Sequence, residues 1–224
     1  MTFRIEEKLY IHSDHIINFK EFLIKRSAKQ IYHPRSIKSL YFENVNSEMY
    51  NDSIEGVLPR KKIRIRKYPN ESDKNYYLEI KSSSVEGRFK TRDIINKEKA
   101  NYFEKNGVLD NQYGACFPNL YVSYKREYSI LGDVRISIDR NLVYENYKTN
   151  IAYNDYNSIV EIKTSIKKNL DDLIESFPFQ RIKSSKYCNG IEKILFRKKK
   201  ITPIAPKTIK SFTSLSSFFH SIFK

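Results

Sequence analysis

Cationic side chains recur at every second residue in two segments of this chain. The two runs are Lys62, Arg64, Arg66 and Arg88, Lys90, Arg92. In an extended strand, alternate side chains share one face, so each run would place three cations on one side of its strand. Like charges this close repel one another by roughly 1–4 kcal/mol per pair unless an anion lies among them. The spacing therefore predicts a surface prepared for phosphate.

The same alternation places polar and apolar residues on opposite faces of several other segments. Its polar members are Glu6 and Lys8, Glu79 and Lys81, Tyr124 and Arg126, Arg135, Ser137 and Asp139, and Glu161 and Lys163. An ordinary antiparallel sheet with one solvated face gives the same pattern, and for a single strand that explanation is sufficient. Over five or six strands this explanation becomes weaker, because the solvated face of a sheet normally carries charges of both signs.

Period-two runs predict eight strands, and these must position the charged residues. The strands are predicted at residues 3–12, 37–43, 61–68, 76–82, 87–93, 120–131, 134–141 and 159–164. Helical spacing predicts helices at residues 14–26, 97–106 and 169–177. We expect an α+β fold, mostly antiparallel β, in which an eight-stranded barrel closes around a cationic lumen with a few flanking helices. Such a barrel holds long side chains and one slim ligand, and a triphosphate or a linear polyphosphate has that shape.

Three glutamates share faces with the cations, namely Glu6, Glu79 and Glu161. Carboxylates are hard oxygen ligands that suit Mg²⁺ or Mn²⁺ bridging phosphate oxygens. The alternative is that each carboxylate forms a salt bridge with a neighbouring Lys or Arg. Both readings stay open for Glu6 and Glu79, whereas Glu161 is the preferred metal ligand.

The charge of the chain divides into two parts. The 224 residues carry a formal charge of +15, yet no acid follows Glu192, and the eight cations beyond it leave +7 on residues 1–192. We expect one domain over residues 1–200 and a basic tail over residues 201–224. Apolar residues spaced by three and four within residues 210–224 predict an amphipathic helix on an anionic membrane or a partner. A flexible tail, or a helix plugging one end of the tunnel, is equally compatible.

The sequence lacks the motifs that several other classes of function require. The six glycines form neither a Walker loop nor a Rossmann fingerprint, and Cys116 and Cys188 build neither a disulfide framework nor a zinc site. No signal peptide or membrane span is apparent, so we expect a cytoplasmic protein, with the tail allowing peripheral attachment at the inner face of the membrane. No RNA-binding signature of the RRM or KH type occurs, and nucleic acid is not the expected partner.

Short motifs follow one another in a characteristic order over about residues 4–191. They are EEKLYIH (6–12), SLYF (39–42), IRIRKY (63–68), LEIK (78–81), KTR (90–92), YKR (124–126), RISID (135–139), VEIK (160–163) and SKY (185–187). In this combination the chain resembles the VTC (vacuolar transporter chaperone) polyphosphate polymerase domain. That domain is a branch of the triphosphate tunnel metalloenzyme, or CYTH-like, superfamily.

The resemblance implies an antiparallel β-tunnel that binds ATP and transfers its γ-phosphoryl group to a growing polyphosphate chain, assisted by Mn²⁺ or Mg²⁺. ATP and polyphosphate or pyrophosphate are the implied partners. The positions that match phosphate-binding residues of the family are Lys8, Arg64, Arg66, Lys81, Lys90, Arg126, Tyr124, Ser185 and Lys186. Glu161 matches the metal-binding glutamate. Further lumen candidates on the same strand faces are Glu6, Lys62, Glu79, Arg92, Asp139 and Lys163.

Two departures from the superfamily qualify this resemblance. Tunnel triphosphatases carry Glu-x-Glu-x-Lys on the first strand, whereas here Arg4 replaces the first acid, which favours a polymerase over a two-metal hydrolase. Family members usually place a further basic residue near Ser53, and we expect Arg60 or Lys61 to compensate for its absence.

The chain resembles a free-standing bacterial version, without the SPX and membrane domains of the fungal polymerases. The alternatives are a triphosphate or polyphosphate hydrolase of the same superfamily and a non-catalytic polyphosphate-binding module.

Overall fold

The computed structural model describes residues 4–71, 75–165, 176–177 and 179–196. Its strands are β1 (Arg4–Ile11), β2 (Lys29–Glu43), β3 (Arg60–Lys67), β4 (Tyr76–Ser84), β5 (Gly87–Ile95), β6 (Val108–Asp110), β7 (Gly114–Leu131), β8 (Val134–Asn146), β9 (Ala152–Asp155) and β10 (Ser158–Ser165). Its helices are α1 (Ile16–Lys25), α2 (Glu48–Glu55), α3 (Lys97–Asn106) and α4 (Lys186–Ile191). A 3-10 turn (Ser13–His15) precedes α1, and a π-helical turn (Glu192–Phe196) follows α4.

One antiparallel sheet dominates the fold, in the order β1-β10-β8-β7-β2-β3-β4-β5, with β6 paired to β7 and β9 paired to β8. The predicted mainly antiparallel α+β class is thereby confirmed. All eight predicted strands are present, and the helix predicted at residues 97–106 is α3. The sequence did not predict β6, β9, α2 or α4.

The prediction of a closed barrel is wrong. No ladder of backbone hydrogen bonds joins β1 to β5 in the part of the chain that the structure describes. Instead, residues 180–182 occupy the outer edge of β1: Tyr10 N donates to Gln180 O at 3.0 Å, and Ile182 N donates to Lys8 O at 3.0 Å. These two hydrogen bonds occupy, at Lys8 and Tyr10, the edge of β1 that β5 would need for closure.

The open sheet is nevertheless strongly curled. Lys8 on β1 and Lys62 on β3 are separated by four intervening strands of the sheet, yet they bind consecutive residues. Lys8 Nζ donates to Ser184 O at 2.5 Å, and Lys62 Nζ donates to Ser185 Oγ at 2.9 Å. The concave side of the sheet, called the lumen below, therefore receives the charged face of each strand.

Apolar packing fixes the convex side of β1, β10 and β8. Phe19 and Leu23, four residues apart on α1, are buried in one cluster with Leu9, Ile136 and Val160. These three strand residues alternate with the lumenal polar residues, so the pleat separates a dry face from a charged one. Burial of α1 therefore sets the facing of Lys8 and Glu161.

A second cluster anchors α2 and α4 at one end of the lumen. The buried Glu43 carboxylate accepts hydrogen bonds from Met49 N at 3.1 Å and Tyr50 N at 3.0 Å, which satisfies two free amides in the first turn of α2. Tyr187 of α4 donates its hydroxyl to the same carboxylate, and its ring stacks on Tyr41 with centroids 5.2 Å apart. This packing holds α4 against the sheet.

Some sequence predictions fall outside the described residues. They include most of the helix predicted at residues 169–177 and the entire tail at residues 201–224, so attachment of the tail to a membrane stays a prediction. Among the described helices, none has the length and apolar composition needed to cross a bilayer.

Substitution of Gly190 in α4 tests the packing that positions this helix. A Cβ at residue 190 would lie 2.5 Å from Leu120 Cδ2 and 2.7 Å from Tyr144 Cδ1. Gly→Ala normally favours a helix, but here we expect Gly190→Ala to lower the free energy of unfolding by about 1–3 kcal/mol through overpacking. Urea denaturation measures this change. Adding Leu120→Val should restore part of the loss, and equal stability of Gly190→Ala and the parent chain would contradict the packing described.

Candidate functional site

Glu79 on β4 is the centre of one group of charges in the lumen. Its side chain is 0% exposed. Arg64 on the neighbouring strand approaches Glu79 Oε2 through Nε at 2.8 Å and Nη2 at 2.6 Å, and Lys90 Nζ lies 2.5 Å from Oε1. Arg66 and Arg92 lie at the longer distances of 3.7 Å and 3.6 Å. Of the two readings left open for Glu79, the structure therefore favours the salt-bridge partner.

These neighbours keep Glu79 ionised. Burial alone would raise its pKa, but Arg64, Arg66 and Lys90 outweigh that effect and lower the pKa to about 2. Arg64 is also held from the other side, because its Nη1 donates to the Tyr41 hydroxyl at 2.7 Å. The guanidinium is thereby fixed before any ligand arrives.

Asp139 on β8 is the centre of a second group. It too is 0% exposed, and Arg126 binds it through two parallel contacts, Nε to Oδ1 at 2.5 Å and Nη2 to Oδ2 at 2.6 Å. Lys186 of α4 lies 2.5 Å from Oδ2. Burial opposes ionisation, but Lys186 and Arg126 lower the pKa of Asp139. This carboxylate therefore ties α4 to the sheet.

Glu161 on β10 has longer contacts than Asp139. Its Oε2 is 3.3 Å from Arg126 Nη2 and 3.5 Å from Lys163 Nζ, and its Oε1 is 3.6 Å from Lys186 Nζ. Burial opposes ionisation, yet Arg126, Lys186 and Lys163 hold the pKa of Glu161 well below its usual range. Lys163 also lies 3.3 Å from Glu6 Oε2. Glu161 and Glu6 thus keep oxygens that are less tightly engaged than those of Glu79 or Asp139.

This donor set fits a divalent ion that takes most of its ligands from a substrate. Among the residues described, no three acidic, His or Cys side chains converge as a preformed metal cage. Mg²⁺ is commonly held by one or two carboxylates together with phosphate oxygens and water. Glu161, with Glu6 nearby, matches that pattern.

Lys81 on β4 is a lumenal cation that is exposed to solvent. Within the described part of the chain no carboxylate oxygen lies close enough to it to form a salt bridge. Desolvation by the surrounding walls and repulsion from Arg64 lower its pKa to about 7, against the attraction of Glu161. An incoming anion would therefore favour the charged form of Lys81.

The predicted residues at the α4 end of the lumen also come together. Lys62 bonds Ser185, Lys8 bonds the Ser184 carbonyl, and Ser185 Oγ accepts from Cys188 N at 3.4 Å as the N-cap of α4. Burial lowers the pKa of Lys8, although Glu161 opposes the shift. All the predicted site residues thus lie on the lumen face or border it.

Two lumenal residues were missed by the site prediction, although the motif SLYF contains both. Arg66 Nε donates to Ser39 Oγ at 3.2 Å, and Tyr41 accepts from Arg64 as described above. The predicted Tyr124 plays the same part, since its hydroxyl accepts from Arg66 Nη2 at 3.3 Å. Alternation along residues 37–43 was the signal that could have identified Ser39 and Tyr41.

The expected compensation near Ser53 is wrong. Lys61 Nζ binds Asp110 Oδ2 at 2.9 Å and Asn111 Oδ1 at 2.5 Å, away from the lumen. Arg60 Nη1 donates to the carbonyls of Gly56 and Val57 at 3.1 Å and 2.9 Å. Both cations are therefore engaged in fixing the loop before β3.

A cavity of about 180 Å³ lies on the convex side of the sheet beside α3. It is lined by Leu40, Ile65, Ala100, Glu104 and Tyr121 among others. Glu104 accepts the Tyr121 hydroxyl at 2.6 Å, and the lining contains neither Glu79 nor Asp139. The chemistry predicted from the sequence belongs to the lumen instead.

Replacing Glu79 with Gln tests the first group of charges. The folded pKa of about 2 lies below the usual 4.5, so the stabilisation is fully present above about pH 5 and is lost as the pH falls towards 2. We expect Glu79→Gln to lower the free energy of unfolding by about 3 kcal/mol at pH 7. The difference in the free energy of unfolding between Glu79→Gln and the parent chain should shrink as the pH falls towards 3. Urea denaturation at both pH values measures it. Glu21→Gln, on the exposed side of α1, is the matched control, and equal stability of all three proteins at pH 7 would contradict the role of Glu79.

Proton uptake tests Lys81. At pH 8 a lysine with a pKa of about 7 is mostly neutral, and a bound polyanion favours its charged form, so binding should take up a proton. Calorimetric titration with inorganic tripolyphosphate at pH 8, in buffers of different ionisation enthalpy, measures the number of protons exchanged. Lys81→Arg keeps the charge but does not titrate, so the variant should take up fewer protons than the parent chain. Identical proton exchange in both would show that Lys81 is already charged in the free protein.

Solved structures share this fold at low sequence identity. A candidate adenylate cyclase from Bacillus halodurans is 12% identical with a TM-score of 0.57, and the match covers 87% of this chain and 98% of that one. HpAC1 of Hippeastrum, a candidate adenylyl cyclase described as having a dominant triphosphatase activity, is 16% identical with a TM-score of 0.53, covering 90% and 98%. A candidate adenylate cyclase from Vibrio parahaemolyticus is 11% identical with a TM-score of 0.52, covering 85% and 98%. At these identities the likeness concerns the fold alone.

The family comparison is consistent with the motifs. No curated protein sequence matches the chain significantly. A family model described as the VTC domain matches residues 3–195, which include every predicted site residue. The chain therefore belongs to the VTC domain family.

Proposed function

We propose that this chain is a polyphosphate polymerase that transfers the γ-phosphoryl group of ATP to the end of a polyphosphate chain. The observation that carries the proposal is the inward face of the curled sheet. There, arginines fixed by buried carboxylates lie beside accessible lysines, in a chain of the VTC family. Linear phosphate chains carry closely spaced negative charge, which this surface matches along its length.

In phosphoryl transfer of this kind, the protein mainly aligns the two phosphate groups and stabilises the negative charge on the transferred phosphoryl group. The attacking atom is an already ionised oxygen of the terminal phosphate. It forms a bond to the γ-phosphorus while the bond from that phosphorus to the β–γ bridging oxygen breaks, and ADP leaves. Arg64 and Arg66 are held by Glu79, Tyr41 and Ser39, so they supply donors whose geometry does not depend on the ligand. Preorganised donors of this type lower the barrier because they need no rearrangement during the reaction.

Accessible lysines complete the surface around these arginines. Lys90 retains 39% exposure of its side chain and Lys8 retains 25%, whereas Arg64 and Arg66 retain 10% and 9%. These lysine side chains are thus more accessible to a ligand than the arginines, although Lys90 also binds Glu79 and Lys8 also binds the Ser184 carbonyl. Glu161, with Glu6, would hold Mn²⁺ or Mg²⁺, which when bound supplies positive charge to the phosphate oxygens.

Hydrolysis of a triphosphate or of polyphosphate is the second candidate. It is favoured by the dominant triphosphatase activity named for HpAC1, whose fold the chain shares. Against it stands the first strand, where Arg4 replaces an acid of the triphosphatase signature.

Product analysis tests the proposal. The purified full chain is incubated with γ-labelled ATP, Mn²⁺ and a short polyphosphate primer, and ADP, free phosphate and labelled polymer are measured. We expect ADP and labelled polymer to appear in equal phosphoryl equivalents. Free phosphate without polymer would identify a hydrolase, and tight binding of polyphosphate without any turnover would identify a binding module.

Arg66→Ala tests the contribution of the fixed arginines. We expect turnover to fall by about 10²- to 10³-fold, the loss typical when one preorganised donor is removed. Thermal stability should change less than in Glu79→Gln, because Arg66 is only a distant partner of Glu79. Lys67→Ala, the adjacent residue on the opposite face of β3, is the matched control and should retain activity. If Arg66→Ala and Lys67→Ala lost the same share of turnover, the result would contradict a specific role of Arg66 in phosphoryl transfer.

A further inference from the structure

Tyrosines and arginines line the end of the lumen that lies opposite α4. The residues are Tyr32, Arg35, Tyr68, Tyr77, Arg92 and Tyr128, and they are called the tyrosine mouth below. Three of the tyrosines extend the rows of lumenal residues: Tyr68 follows Arg66 by two residues, Tyr77 precedes Glu79 by two, and Tyr128 follows Arg126 by two. The mouth therefore continues directly from the phosphate-binding face.

The rings of the mouth form two pairs joined by one arginine. Tyr32 and Tyr128 meet edge to face with centroids 5.5 Å apart, and Tyr68 and Tyr77 do so at 5.7 Å. Arg35 Cζ lies 5.6 Å from the Tyr32 ring and 5.9 Å from the rings of Tyr68 and Tyr128. The mouth is thus a continuous surface of π-systems and a guanidinium plane.

This surface is ordered but not buried. Arg35 is oriented by Glu71, whose Oε1 lies 2.8 Å from Arg35 Nε, and Arg92 Cζ lies 3.8 Å from the Tyr77 centroid. The Tyr32 side chain remains 50% exposed. A half-exposed aromatic surface held in place by charged neighbours is available to a planar ligand.

The two ends of the lumen differ in what they can accept. At the α4 end, Lys8 and Lys62 are already bonded to Ser184 and Ser185, and Tyr187 stacks on Tyr41. At the opposite end, aromatic faces and guanidinium planes are the groups that stack on nucleobases in proteins. A phosphate chain can accept hydrogen bonds from tyrosine hydroxyls but cannot stack on their rings, whereas the base of a nucleotide can.

We propose that the tyrosine mouth binds the base of a nucleoside triphosphate while its phosphates lie in the lumen. The inference rests on the proposed function, in which a nucleotide is the phosphoryl donor, and it assigns the residues that distinguish this donor from polyphosphate. Stacking has little preference for one base over another but increases with ring area, so purine nucleotides should bind more tightly than pyrimidine nucleotides.

A comparison of two ligands tests the proposal. Affinities for ATP and for inorganic tripolyphosphate are measured by calorimetry on the full chain, both with the same divalent ion. We expect Tyr32→Ala to weaken ATP binding about tenfold and to leave tripolyphosphate binding within about twofold. Tyr32→Phe should retain most of the ATP affinity, because the ring is kept. Tyr102→Ala, a ring 61% exposed on α3, is the matched control and should change neither affinity.

Two results would overturn the assignment. Equal weakening of both ligands would indicate a general effect on the lumen, and unchanged ATP affinity in Tyr32→Ala and Tyr68→Ala would show that the base does not contact the mouth. Saturation-transfer NMR on the parent chain provides a second measurement that depends on no variant. The H2 and H8 protons of bound adenine should receive saturation, and its absence would contradict stacking.

These outcomes are separable from those of the proposed function. Discrimination of ATP from tripolyphosphate that depends on Tyr32, without polymer formation, would support the mouth and contradict the polymerase. Polymer formation in a protein whose ATP affinity does not depend on the tyrosine mouth would support the polymerase and contradict the role of the mouth.

Discussion

Burial of two carboxylates beneath an excess of cations is the interaction on which the inward face of this protein depends. Glu79 and Asp139 are both fully inaccessible to solvent, and an isolated buried charge would be strongly unfavourable. Each is surrounded by at least two cations from neighbouring elements, and each in turn holds an arginine, Arg64 or Arg126, in a fixed geometry. Stability and site geometry are therefore properties of one network.

The same network divides the cations into two kinds. Arg64 and Arg126 are bound to carboxylates and are almost buried, while Lys81 and Lys90 on the neighbouring strands β4 and β5 are exposed to solvent. A planar guanidinium suits fixed recognition of phosphoryl oxygens, and a lysine on a flexible stem suits an adjustable one. The lumen thus combines arginines in a fixed geometry with lysines whose side chains can adjust to the ligand.

The sequence allowed the strands and the inward face to be predicted because the pleat imposes a fixed period of two residues. Lys62, Arg64 and Arg66 face the lumen for that reason alone. Whether Glu79 binds a metal or an arginine could not be predicted, because the answer depends on the register between β4 and its two neighbours.

The open sheet was not predictable either. Residues 180–182 pair with β1 through backbone groups, which leave no hydrophobic pattern in the sequence. The helix α4 is only six residues long, too short for helical spacing to be recognised, yet it carries Lys186 to Asp139. Lumenal contacts made by Ser39 and Tyr41 were hidden because neither residue is charged.

Within the residues that the structure describes, no strand pairs with the outer edge of β5, and this has a consequence for self-association. An exposed strand edge is a template for another chain, and proteins commonly protect such edges with charge. Residues 88–94 are all exposed, and Arg88, Lys90 and Arg92 follow one another along this edge. Two copies that paired through β5 would bring these cations together, so the charge that prepares the lumen for an anion also opposes edge-to-edge aggregation of the empty protein.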